Sequence, residues 1–331
     1  MIELKDSGAI SPVASMKRNG KLGNTLFKIA AFTAAALIPL VVITVFVVLF
    51  IEAYPAIKAF GVWHFITNKS WDAVDNNFGA FTPLFGSIYV TIWAFIFAAP
   101  ISIGVAIYIT ELAPHWLKPI VTTAIELLAA IPTVIYGMWG LFVLAPVMQN
   151  HVEPWILDHL ATLPIIGFLF NGPGIGIDTF TTAVILSIMI TPFMSSLIKD
   201  AFSLVPEVVK ESAYGLGATR WEVIRKVVMP YVSSGIFGAG IFAIGRALGE
   251  TMAVSFVNGN NHNPGSFLDM LSLLNSVTTI TVTLADEFTE AMTHLYLSAL
   301  FYLALILLTI SFSTLAVAKF IVWRLERRWK T

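Results

Sequence analysis

Long apolar runs alternate with polar connections along the chain, and none of them shows the period of two that a lipid-facing strand requires. Each run is long enough to cross a hydrocarbon core of about 30 Å, which takes about 20 helical residues at 1.5 Å each. Six spans follow, at 26–51, 84–109, 119–148, 180–204, 231–257 and 295–322. Lipid offers no partner to a free backbone group, so continuous runs of this kind form helices. The expected fold class is an all-α integral membrane protein: a membrane domain over 25–323 between polar tails at 1–24 and 324–331. The connections at 53–79, 149–179 and 258–294 are long. The last two are rich in Gly, Pro, Asn and Asp, and all three read as loops with short helices. Pro39, Pro100, Pro132 and Pro192 fall inside spans, where each frees a carbonyl and bends its helix.

Composition agrees with this pattern. Of 331 residues, 57% are hydrophobic and 12% charged, and mean hydropathy is +0.83. Net charge is −1, but the basic residues are unevenly placed. Lys17, Arg18, Lys21 and Lys28 lie before or at the start of the first span, Lys199, Lys210, Arg220, Arg225 and Lys226 at the end of the fourth and between it and the fifth, and Arg324, Arg327, Arg328 and Lys330 follow the sixth. The opposite connections are acidic, so the positive-inside rule puts both termini in the cytoplasm. The first apolar run is too long for a signal-peptide core and reads as an uncleaved anchor after a disordered tail. With no cysteine, disulfides and thiolate metal sites are excluded, and the histidines show no ligand spacing. The absence of a G-x-x-x-x-G-K-[ST] loop rules out ATP binding through a P-loop of this chain. Nor does any nucleophile–base constellation suggest an enzyme.

The connection at 205–230 contains PEVVKESAYGLGATRWEVIRKVVMP. Its halves read as two short amphipathic helices meeting at Gly217, which supplies the positive φ of a tight turn. In the fifth span, GRALGETMAV places Arg246 and Glu250 four residues apart, within pairing distance on one helical face, about 22 Å from the start of the span at 1.5 Å per residue. An unpaired arginine at such depth costs about 2.5–3.5 kcal/mol, so it faces a partner or a cavity. Two readings share that geometry: a self-neutralising buried pair, or a guanidinium offered to a passing anion. Gly245 and Gly249 form a GxxxG spacing that allows close approach of a facing helix. Glu126, near the start of the third span, either snorkels to the interface or serves transport.

Glu211, Ser212, Ala213, Gly217, Val227, Met229 and Pro230 resemble the EAA motif of ATP-binding-cassette importer permeases, with Ser212 and Met229 departing mildly from the commonest residues. GAFTPLFGSIYVTIWAFIFAAPISIGVAIYITELAP (79–114), IELLAAIPTVIYGMWGLF (125–142) and GRALGETMAVSF (245–256) are similar to the C-type permeases of phosphate-specific importers. That resemblance implies the type I (MetI-like) importer permease fold in the bacterial inner membrane and inorganic phosphate as cargo. It also implies four partners: a homologous A-type permease, two ATPase subunits and a periplasmic phosphate-binding protein. ATP and Mg would be bound by the ATPases, with no cofactor on this chain and no nucleic-acid partner. Glu211, Ser212, Ala213, Gly217 and Pro230 would then contact the ATPase, and Arg246 with Glu250 would lie on the anion path. The alternatives are a permease for sulfate or molybdate, or a proton-coupled secondary carrier, whose class gives no reason for the loop.

Overall fold

The computed structural model describes residues 20–329, with side chains over 23–324. In chain order the helices are α1 (Gly20–Phe60), α2 (Val62–Thr67), α3 (Phe81–Ile107), α4 (Leu117–Ala129), α5 (Thr133–Trp139), α6 (Ala145–Val147), α7 (Glu153–His159), α8 (Thr179–Ser203), α9 (Glu207–Gly215), α10 (Arg220–Val223), α11 (Met229–Tyr231), α12 (Ser233–Leu248), α13 (Met252–Val257), α14 (Phe267–Leu271), α15 (Ile280–Glu287) and α16 (His294–Trp329). π-turns, whose bonds run from i to i+5, occupy Tyr108–Leu112, Gly140–Leu144, Met148–Val152 and Ile224–Val228. Part of the sequence-read tail is thus already helical at Gly20, and the last helix continues past 324. Residues 1–19 lie outside those described.

Among the described residues, four helices are long and apolar enough to cross a membrane unaided: Gly23–Phe60, Phe81–Leu112, Thr179–Ser203 and His294–Arg324. The other two expected spans are broken. Leu117–Ala129 meets Thr133–His159 at 87°; in the fifth, Ser233–Leu248 meets Arg220–Tyr231 of the preceding loop at 69° and stops short of α13. Pro39, Pro100 and Pro192 sit inside continuing helices, whereas Pro132 lies between two, three residues after α4 ends and as the N-cap of α5. The carbonyl that Pro132 leaves free is that of Leu128, and Tyr136 Oη donates to it at 2.8 Å, which holds the bend closed. Around Pro192, hydroxyls serve the backbone instead: Thr191 Oγ1 donates to Ser187 O at 2.6 Å and Ser195 Oγ to Thr191 O at 2.8 Å.

Of the described residues, those up to Val48 form one unit, the first part of α1, whose side chains are almost all exposed. From Leu49 onward it forms a second. In that second unit α3 and α8 pack along each other more extensively than any other pair. The small Val90, Ala94 and Ala98 of α3 and the larger Leu186, Ile190 and Met194 of α8 are all buried in one apolar cluster. Helix α12 lies against both: a Cβ on Gly235 would sit 2.6 Å from Ala201 Cβ, so this glycine allows α12 to approach α8. A second cluster joins α2, α16 and a two-stranded hairpin, β1 (Trp71–Asp72) with β2 (Asn77–Phe78), where the sequence suggested only loops and helices. Phe78 stacks on Tyr296 and Phe65 on Tyr302, with centroids 4.8 and 4.3 Å apart.

Away from the 206–230 loop, two carboxyls are fully buried beside each other. Asp178 caps α8, its Oδ1 accepting from Thr181 N at 2.8 Å, and Glu153 Oε2 accepts from Gly176 N at 2.9 Å. Their remaining oxygens, Glu153 Oε1 and Asp178 Oδ2, find no donor unless one carboxyl gives a proton to the other. Burial, opposed by the Thr181 N–H and reinforced by the adjacent Glu153, pushes the Asp178 carboxyl up to about 8. In an unfolded chain it titrates near about 3.9. Between these values the folded protein holds the extra proton, so stability falls as pH rises, by about 1.4 kcal/mol per unit, and levels off above the folded value. Thermal unfolding of the detergent-solubilised protein is expected to show this decline from pH 5 to 8. Asp178→Asn, whose amide supplies the missing donor, should flatten it; an unchanged slope in that variant would remove the shared proton from the account.

Candidate functional site

The 206–230 loop forms the two short helices expected of it. Helix α9 ends at Gly215, Gly217 adopts φ +87°, and α10 begins at Arg220. A capping box holds the second start: Thr219 Oγ1 accepts from Glu222 N at 3.4 Å while Glu222 Oε2 accepts from Thr219 N at 3.1 Å. Thr219-x-x-Glu222 was a legible signal for that start and was missed. Glu211, Ser212 and Gly217 are exposed, and Ala213 and Pro230 partly so. At the turn Leu216 is 90% exposed, with Val208 and Trp221 also uncovered, so the loop presents an apolar knob.

The inner face of the loop is anchored. Val205, Val223, Ile224 and Val228 are buried, and Lys210 Nζ lies 2.8 Å from Glu111 Oε1. Burial alone would lower the Lys210 pKa, but the hydrogen bond and charge of Glu111, helped by Glu207, outweigh it and raise it.

The fifth span corrects the sequence reading. It does not run on as one helix to 257, because α12 stops at Leu248 and α13 begins at Met252. Arg246 and Glu250 therefore do not share a helical face, and among the described residues no ion pair joins them. Arg246 occupies the last turn of α12, exposed, with Cζ 5.5 Å from the centre of the Phe193 ring. Glu250 lies in the break, where its Oε1 accepts from Ala253 N at 3.2 Å and its carbonyl accepts from Thr281 Oγ1 at 2.8 Å. Each charge thus meets the helix end whose dipole suits it, the cation at a C-terminus and the carboxylate at an N-terminus. That arrangement, rather than mutual pairing, accommodates two charges in an apolar segment. A cavity of about 10 Å³ beside Glu250 has Ser87, Thr91, Thr279 and Thr281 among its lining residues, hydroxyls that the sequence reading did not single out.

Among the described residues, Gly245 faces α16 at ordinary contact distance rather than at the close approach its spacing suggested. The nearest atom to a Cβ at Gly245 would be Leu315 Cδ2 at 3.8 Å, and Gly249 marks the break itself. Glu126 lies on α4, half-exposed, and ties it to α8 through Lys199 Nζ at 3.4 Å.

Residues 102–328 match the family described as binding-protein-dependent transport system inner membrane component. The chain belongs to that family. Among its relatives, the phosphate transport system permease protein PstC of Mesorhizobium japonicum is 45% identical over 311 residues, covering 94% of this chain and 93% of that one. PstC of Pasteurella multocida is 43% identical over 86% of this chain and 89% of its own length. A probable phosphate transport permease PstC of Methanocaldococcus jannaschii is 35% identical, covering 84% and 86%. Two solved structures share the fold. One, of a bacterial alginate ABC transporter, has a TM-score of 0.58 at 16% identity and covers 93% of this chain and 98% of its own. The other, of the MetNI methionine ABC transporter, has a TM-score of 0.54 at 14% identity and covers 73% and 94%. This inner membrane component is therefore a multi-pass helical protein of the MetI-like fold, its matched region beginning within α3 and including both broken spans.

Proposed function

We propose that the chain is a transmembrane permease subunit that carries inorganic phosphate inward, driven by ATP hydrolysis on a separate subunit. The observation that carries this reading is the 45% identity, over 94% of the chain, to a phosphate transport permease. The 206–230 loop is the element that meets the ATPase, through Glu211, Ser212, Ala213, Gly217 and Pro230 and the apolar knob at Leu216. ATP and Mg belong to the two ATPase subunits, and this chain supplies the path together with an A-type permease. A periplasmic phosphate-binding protein delivers the anion. Arg246 offers its planar fork of donors to the phosphate oxygens, and the nearby Glu250 offsets part of that charge so that the anion is released as well as bound. Gly245 and Gly249, on the same stretch, suit close approach by the second permease.

The direct test is uptake of labelled phosphate by the purified four-component complex in proteoliposomes, with ATP present or absent and sulfate as competitor. ATP-dependent uptake resistant to sulfate is expected, and uptake that ignores ATP would overturn the proposal. Orientation is tested separately, on a chain that has no cysteine background. With both termini cytoplasmic, an impermeant thiol reagent outside intact cells labels a cysteine at Asp158 and spares one at Gly215; the reverse pattern inverts the topology.

A further inference from the structure

Lys210 immediately precedes Glu211 in α9, yet it is the one charged residue of the 206–230 loop that is buried. Only 10% of its side chain and 8% of that of Glu111 is accessible, and their charged atoms are 2.8 Å apart. Glu207, on the open face of α9, reaches the same Nζ at 3.4 Å. Glu111 belongs to the π-turn that closes α3. That turn is braced again by Ala113 N on Tyr108 O at 2.7 Å and by Lys118 Nζ on Thr110 O at 2.9 Å.

A buried ion pair is a poor source of stability, because desolvation offsets most of the attraction. Its placement here points to another use. By the covalent chain, the loop is continuous with α8 and α12 only; Lys210 adds α3 to the elements it grips. Helix α3 then runs unbroken from Phe81 to Ile107. Toward its other end, Ser87 Oγ accepts from Ile280 N at 2.9 Å, and the next residue, Thr281, donates to the carbonyl of Glu250. One rigid helix thus joins the loop to the break that holds Glu250.

We infer that the Lys210–Glu111 pair is a positioning link that makes α3 follow the loop, so that closure of the ATPase also shifts the Ser87–Ile280–Thr281 contact behind Glu250. This rests on the ATP-driven reading above. The link complements the covalent path: α8 and α12 carry the motion directly, and α3 brings the opposite wall of the break along with them.

The test uses the complete complex with two double variants. Glu111→Gln with Lys210→Met removes both charges at similar volume, and Glu111→Lys with Lys210→Glu reverses them. Two quantities are read: phosphate moved per ATP hydrolysed, and the ATP-induced change in distance between spin labels at Ile92 on α3 and Phe312 on α16, both exposed positions. The neutral double is expected to assemble and hydrolyse ATP, to move about tenfold less phosphate per ATP, and to lose the distance change. The reversed double should bring the ratio back to within about threefold of the unaltered complex and regain the distance change. An unchanged ratio and distance change in the neutral double would overturn the link. So would failure of that double to assemble, which would make the pair structural. If the unaltered complex moves no phosphate, the functional reading fails while the distance change still decides the link.

Discussion

Phosphate uptake by an Arg246→Gln complex is expected to fall about a hundredfold, the equivalent of losing a charge-assisted contact worth about 3 kcal/mol. The complex should still assemble. Had Arg246 and Glu250 been a buried pair, removing one would strand the other at a cost of about 3–5 kcal/mol. In the structure Glu250 is held by Ala253 N and Thr281 Oγ1, and neither bond involves the arginine. Arg246→Lys should recover part of the uptake, since an ammonium keeps the charge but lacks the planar fork. The measurement is uptake normalised to intact purified complex, with the double variant Arg246→Gln, Glu250→Gln alongside. Near-normal transport by that double variant would take Arg246 off the anion path.

Gly217→Val is expected to lower ATP-driven uptake about tenfold or more while sparing the region around Arg246. The cause is confined to the backbone. A Cβ at Gly217 would meet nothing within 4 Å, so the penalty lies wholly in φ +87°. A non-glycine residue there costs about 1–2 kcal/mol, and a β-branched one more. The strain is relieved by opening the turn between α9 and α10, which displaces Leu216 from the surface proposed to meet the ATPase. Gly217→Asn, which tolerates the left-handed region, should retain most uptake. Stimulation of ATPase activity by the loaded binding protein should be lost with Val and kept with Asn; retention with Val would separate the loop from the ATPase.

Much of this architecture was legible in the residues. Spans one, two, four and six read directly as apolar runs, and Gly217 announced its turn by standing where the two helical halves of the loop meet. The breaks near Pro132 and at Gly249 did not read, for different reasons. A proline within a span is compatible with a continuing helix, as Pro100 and Pro192 show. Pro132 differs in that the Tyr136 hydroxyl reaches the Leu128 carbonyl across the bend, a side-chain contact that the proline alone does not announce. At Gly249 a signal did exist, a glycine followed by Glu250 and Thr251. The spacing of Arg246 and Glu250 overrode it by suggesting an uninterrupted helical face. The Lys210–Glu111 contact joins residues 99 positions apart and has no periodicity to betray it.

The π-turns carry a consequence for how the chain tolerates changes in length. A helical residue advances its neighbours by about 100° around the axis, so a one-residue deletion within an α-helix turns every side chain beyond it away from its partners. A π-turn already holds one residue more than the α-turn it replaces. Shortening the chain within Tyr108–Leu112 or Ile224–Val228 can therefore be absorbed by relaxation to α geometry, with the faces of α3 and α12 left in place. One of these turns lies within the 206–230 loop and the other at the end of α3 that Lys210 grips, so the fold carries slack in its own length on both sides of that contact.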